Sequence, residues 1–120
     1  MVDLQLVFMF SVRNHKGRML PPEELHTQGE LLMDALLDLE KCNEALRDPA
    51  TSSDAETGGV TIDLSVTAAT DAEAVASAMN ICRTAIHAIG GSTPTWPADS
   101  TEVDARTTDF TPLNVQFDYV

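Results

Sequence analysis

The sequence predicts an α+β domain whose elements run strand, helix, strand, strand, helix, strand. Three observations carry the prediction. Residues 60–68 alternate, with Val60, Ile62, Leu64, Val66 and Ala68 set between Thr61, Asp63, Ser65 and Thr67. A period of two places an apolar row on one side of a sheet and a polar row on the other. Residues 70–91 follow at once as a helix with a start signal and a stop signal. The same alternation recurs near both ends, at 3–12 and 113–120.

The first strand spans about residues 3–12. Leu4, Leu6, Phe8, Phe10 and Val12 point one way, and Gln5, Val7, Met9 and Ser11 the other. Both sides are apolar in the middle, so this strand is either central and covered twice or meets another subunit through its second side. Arg13-Asn14-His15-Lys16-Gly17-Arg18 comes next and gathers three of the seven bases into one polar loop. Pro21-Pro22-Glu23-Glu24 then resembles a helix start, since proline is tolerated in the first turn and early acids suit the positive end of the helix dipole. Leu25, Leu32, Leu36, Leu39 and Leu46 fall close to one helical face, with Leu31 and Ala35 beside it, and Pro49 ends the helical region. Glu30, Asp34 and Asp38 occupy the outer face at steps of four, a mildly repulsive arrangement that packing must offset.

Residues 50–56 predict a weak edge strand, and Glu56-Thr57-Gly58-Gly59 the hairpin turn into the strong strand at 60–68. In the helix that follows, Thr70-Asp71-Ala72-Glu73 fits a capping box. Val75, Ala78, Met79, Cys82, Ala85, Ile86 and Ile89 form its apolar stripe, and Gly90-Gly91 stops it. Pro94 and Pro97 exclude a central strand, and 92–112 reads as a long polar loop with at most a short strand near 102–107. Leu113 to Val120 is the last strand.

This βαββαβ order resembles the ferredoxin-like, split-βαβ fold. The resemblance implies an antiparallel sheet with strands 3–12 and 60–68 in its middle and both helices on one face, against Leu4, Phe8, Ile62 and Leu64. The run from Gly59 to Gly91 also resembles small actinobacterial proteins of unknown role, which implies no activity. Residues 1–120 are expected to form one domain, a common size and long enough to bury a core without disulfides or metal.

The charge is −12, from nineteen acids against seven bases. That balance opposes direct nucleic-acid binding, which needs Lys and Arg to displace counterions, and it repels anionic lipid. The longest apolar run is far short of the ~20 residues a membrane helix needs. Met1-Val2-Asp3 carries an acid where a secretory signal carries positive charge, so a cytoplasmic location is expected. Cys42 and Cys82 are forty residues apart with no paired ligands, which predicts buried thiols in place of a disulfide or redox pair, and no zinc site. No cofactor is implied.

No segment carries a specific catalytic motif, and the candidate residues each have two readings. Val7 and Met9, on the side of the sheet away from the helices, either centre a subunit contact or lie beneath the 92–112 connection. Arg13, His15, Lys16 and Arg18 either dock an acidic partner or phosphate, or form a solvated loop that balances the chain's own acids. Trp96, between two prolines, is either a partner anchor or a cap on the core. His87, one turn after Arg83, either binds an anion or sits favourably at a helix C-terminus, and His26 is expected on the surface. Three functions follow. The first is a non-catalytic self-assembly or protein-interaction module, such as a component of a larger bacterial or phage complex. The second is a small dimeric α/β-barrel-type enzyme using His15 or His87 on a small molecule. The third is an acidic decoy for a nucleic-acid-binding protein.

Overall fold

Strand β1 (Val2–Arg13) is paired along both of its edges, and the rest of the chain is arranged about it. The computed structural model describes residues 1–93 and 108–119. After β1 come α1 (Pro22–Cys42), β2 (Leu46–Asp54), β3 (Gly59–Ala68), α2 (Asp71–Ala88), β4 (Gly91–Ser92) and β5 (Thr108–Tyr119). The fold is α+β: among the described residues, two helices and one five-stranded sheet in the order β2-β3-β1-β5-β4. The two strands expected in the middle are neighbours, with Leu4 opposite Val66, Leu6 opposite Leu64 and Phe8 opposite Ile62.

Directly opposite residues share a face, so these pairs make one continuous apolar surface. Leu4, Leu6, Phe8, Phe10 and Val12 are fully buried with Val60, Ile62, Leu64 and Val66. Each such side chain contributes roughly 1.5–3 kcal/mol on leaving water. The rings of Phe8 and Phe10 stack at 6.2 Å, and Phe110 meets Phe10 edge-on at 6.4 Å.

The helices cover this surface from one side. α2 packs on β3 and β1, and α1 packs on β2. α1 buries Leu25, Gly29, Leu32 and Leu36, and the Gly29 carbonyl accepts a 3.0 Å hydrogen bond from Thr51 Oγ1 of β2. α2 turns small side chains inward, burying Ala74, Ala78, Cys82 and Ala85 together with Ile81 and Ile86. The Thr70 hydroxyl oxygen accepts from the Glu73 amide at 3.2 Å, the first half of the predicted capping box. Gly90 then takes φ +83°, a left-handed turn that ends the helix without a side-chain clash. Gly91 is crowded for another reason: a Cβ there would lie 2.7 Å from Ile86 Cγ2 and 2.9 Å from Phe110 Cε1.

Three expectations are corrected. The sheet is mixed: its long strands pair antiparallel, but β4 joins β5 in parallel through Gly91–Thr108 and Ser92–Asp109. Leu46 belongs to β2, opposite Val66, and not to the first helix. α1 ends at Cys42, where Asn43 Oδ1 accepts from the Ala45 amide and the Asn43 carbonyl from the Leu46 amide, turning the chain into the sheet. Pro49 is tolerated in β2 because Asp48 and Pro49 fall where the register shifts between Arg47 and Ala50, so no ladder bond is lost. Finally, β5 begins at Thr108, within the span read as loop. Pro112 lies opposite Phe10 beside a second register shift, between Met9 and Phe10, which again excuses the missing N–H. The short strand expected near 102–107 lies outside the described residues.

Leu64→Ala is expected to lower unfolding free energy by about 2–5 kcal/mol, through lost transfer energy and the cavity left behind. Thr70→Ala, which removes only the helix cap, should cost about 1 kcal/mol. Urea unfolding followed by circular dichroism measures both, and equal costs would contradict this assignment of core and cap.

Candidate functional site

Among the described residues, the sheet leaves two surfaces without helices. One is the whole face opposite the helix layer. The other is the second half of β5 on the helix side.

The first face is built from the alternate residues of the central strands. Asp3, Gln5, Val7, Met9, Ser11 and Arg13 of β1 lie beside Thr61, Asp63, Ser65 and Thr67 of β3 and beside Asn114, Gln116 and Asp118 of β5. Polar contacts run across it. Arg47 of β2 pairs with Asp3, and the Thr67 hydroxyl donates to the same carboxylate oxygen at 2.7 Å. The Arg47 hydrogen bond, then that of Thr67, holds the Asp3 carboxyl below the usual range. Gln5 Nε2 donates to both oxygens of Asp63, at 3.1 and 3.3 Å.

Val7 sits between Asp63 and Gln116, and Met9 between Thr61 and Asn114. Val7 is half-buried and Met9 is 36% exposed. The two make a small apolar spot within a polar surface. A shallow cleft of about 280 Å³ lies beside it, lined by Gln5, Val7, Gln116, Phe117 and Asp118. Arg13 shares this face, roughly 13 Å from Met9 at about 3.3 Å per residue.

Beyond Arg13 the basic loop is a tight turn. Asn14 Oδ1 accepts from the amides of Lys16 and Arg18, at 2.9 and 3.0 Å, and the Asn14 amide donates to the Arg18 carbonyl. His15, Lys16 and Arg18 are exposed on this turn. Arg13 donates to the Val12 carbonyl and stands opposite Asp109 in the register. One oxygen of Asp109 is buried with no hydrogen-bond partner among the described residues, and burial pushes its carboxyl above the ordinary value. Val7, Met9 and Arg13 are thus brought onto one face, with His15, Lys16 and Arg18 at its end. Trp96 lies outside the described residues.

The second surface was not singled out from the sequence. Val115, Phe117 and Tyr119 lie opposite Phe8, Leu6 and Leu4, so they point to the core side. Yet they emerge from the helix layer. Leu113 is 66% exposed, Val115 38%, Phe117 56% and Tyr119 62%. Only Phe110, near the start of the strand, is fully buried. The Tyr119 hydroxyl donates to an Asp71 carboxylate oxygen at the start of α2, and that carboxylate pushes the phenol pKa up. The alternation that announced the strand was the available signal for this row. Whether a helix would reach it depends on packing.

The remaining candidates lie away from both surfaces. His87 Nε2 lies 2.9 Å from Thr93 Oγ1, joining the last turn of α2 to the chain just after β4, and Thr93 is fully buried. His26 pairs with Glu30 one turn on, both exposed, at a cleft of about 380 Å³ between α1 and β2. Cys82 is buried as expected, which pushes its thiol pKa far up, but the expectation of a buried thiol is corrected for Cys42, which is exposed at the end of α1. Among the described residues, no cluster of three His, Cys, Asp or Glu side chains could hold a metal, and no helix is long and apolar enough to cross a membrane.

No protein-family model, curated protein or solved structure matches the chain.

The Asp109 carboxyl gives a pH test. Its folded pKa is raised, so the folded state binds this proton more tightly than the unfolded chain. The charge is therefore a penalty above the folded pKa, and it is relieved as pH falls through that value. Asp109→Asn is expected to raise the urea midpoint at pH 7 and to raise it less at pH 3. An equal gain at both pH values would contradict a partly buried, charged Asp109.

Proposed function

We propose that this protein is a non-catalytic interaction module of ferredoxin-like architecture, which works by docking a protein through its sheet. The ferredoxin-like reading is supported by the four long strands, in the order β2-β3-β1-β5, each antiparallel to its neighbour. α1 links β1 to β2, and α2 precedes β5 on the far side of β1. The docking reading rests on one observation, the exposed row of Leu113, Val115, Phe117 and Tyr119. Two bare aromatic rings and two aliphatic side chains on one strand form a contiguous patch of the kind that marks contact sites. Val7 and Met9 extend the apolar surface on the opposite face, and Arg13, His15, Lys16 and Arg18 edge it with charge.

The acids are distributed broadly: Glu30, Asp34 and Asp38 on α1, Asp54 at the hairpin, Asp71 and Glu73 on α2, Asp63 and Asp118 on the open face. That spread favours a docking module over a decoy with carboxylates set in one phosphate-like stripe. A cytoplasmic protein fits the same reading.

Charge placed in the row is expected to abolish complex formation, while charge on an exposed α1 position is not. Phe117→Glu and Leu37→Glu make the comparison, with light scattering after size exclusion, on the purified protein and in host extract. If neither variant changes the species seen, or if only monomer elutes in both settings, the docking reading fails.

A further inference from the structure

We propose that the cleft between α1 and β2 binds an aliphatic ammonium group, carried by a lysine side chain or by a free alkylamine. β2 is the edge strand at the other end of the sheet from β4 and β5, so this site does not rest on the docking surface above.

A glycine opens the cleft. Gly29 lies in the interior of the 21-residue α1, where glycine is the least favourable residue apart from proline. Its backbone does not call for glycine, in contrast to Gly17, Gly58 and Gly90, which take positive φ. Packing does not call for it either: a Cβ at Gly29 would meet no atom within 4 Å beyond its own helix backbone. What the missing side chain provides is room, in a cleft of about 380 Å³. Small-ligand sites begin at about 300 Å³.

Two contacts hold the walls apart at a fixed distance. The Gly29 carbonyl accepts from Thr51 Oγ1 at 3.0 Å. Three turns along the helix, the Glu40 carboxylate accepts from the Asp48 amide, also at 3.0 Å. One flank of α1 is therefore tied to β2 at two points.

The polar groups around the cleft are mostly acceptors. Thr51 and Ser53 stand opposite Ile62 and Val60, which are buried in the core, so both hydroxyls lie on the helix side of β2. Thr51 gives its one hydroxyl proton to Gly29 and keeps only lone pairs for a ligand. Glu30 can only accept. His26 Nε2 lies 2.7 Å from Glu30 Oε1. With its N–H turned to that oxygen, the neutral ring presents Nδ1, a further acceptor. Ser53 alone can both donate and accept.

Such a rim matches a ligand made of donors. An ammonium carries three N–H groups and no acceptor. A guanidinium is a poorer match, because its planar fork wants both oxygens of a carboxylate and one Glu30 oxygen already faces His26. An anion would meet Glu30 on a chain of net charge −12. The half-buried Met33 lines the same cleft and supplies a pliable apolar surface for the methylene stem. His26 and Glu30 are 70% and 67% exposed, so water screens the charge and the stem must contribute. The dissociation constant is expected to be on the order of 1 mM.

NMR of the ¹⁵N-labelled full chain, titrated with n-butylamine and with Nα-acetyl-lysine-N-methylamide, tests the site. Saturable shifts are expected at the amides of residues 29, 30, 33 and 51–53. n-Butanol, with the same stem and no charge, should bind at least about tenfold more weakly, and Glu30→Gln should weaken amine binding by a similar factor, as loss of a charge-assisted hydrogen bond does. Gly29→Ala should also weaken binding while raising the urea midpoint, because alanine is the better helix former, so lost binding is not lost fold. Phe117→Glu should leave binding unchanged, which lets this site and the docking reading fail separately. Binding of both probes assigns the site to free amines and lysine alike; binding of the lysine probe alone assigns it to a partner's side chain, and of butylamine alone to free amines. The inference is overturned by shifts that spread over all acidic faces without saturating. It is overturned equally by n-butanol binding as tightly as n-butylamine, or by unchanged binding in either Gly29→Ala or Glu30→Gln.

Discussion

The double pairing of β1 is the constraint on which the structure depends. Its backbone is paired with β3 on one edge and with β5 on the other, so its amides and carbonyls are satisfied without water. Its five core side chains then lie in the centre of the apolar layer, between those of β3 and Phe110 of β5. The helices are positioned by that surface. α2 approaches closely because Ala74, Ala78 and Ala85 face the sheet, while α1 reaches β2 through leucines.

Coverage follows from dimensions. A helix with its side chains is about 10 Å wide and strands lie about 4.8 Å apart, so two helices shield about four strands at most. Here α1 stands over the edge strand β2 and α2 over β3 and β1. That placement leaves the second half of β5 bare, although its residues follow the same alternation as the buried strands. The surplus apolar surface is a consequence of where the helices sit.

Much of this was legible in the sequence, and the parts that were not share a physical cause. The Thr70 cap, the glycine stop at Gly90 and the strict alternation of 60–68 are local signals, and each has its counterpart in the structure. Leu46 was misread because its spacing from Leu39 suits a helix equally well; the Asn43 turn that redirects it depends on hydrogen bonds a spacing rule does not see. Pro49 was read as the end of a helix and Pro112 lay in the span read as loop, yet both belong to strands and fall where the ladder shifts register. Thr108 to Thr111 looked polar and loop-like because only Phe110 among them faces the core. Of the candidate contact residues, Val7, Met9 and Arg13 share the expected face, but Asp63, Gln5 and Gln116 surround the apolar pair. The larger apolar surface lay in the strand whose sequence looked most ordinary, because exposure there is set by helix placement.

Amide hydrogen exchange followed by NMR tests the central position of β1 most directly. A strand paired on both edges and buried on its core face opens only with the whole fold, so the amides of residues 4–10 should exchange at the rate set by global unfolding. Those of β2, with one free edge, should exchange faster. Fast exchange along 4–10, at the rate of β2, would contradict the arrangement.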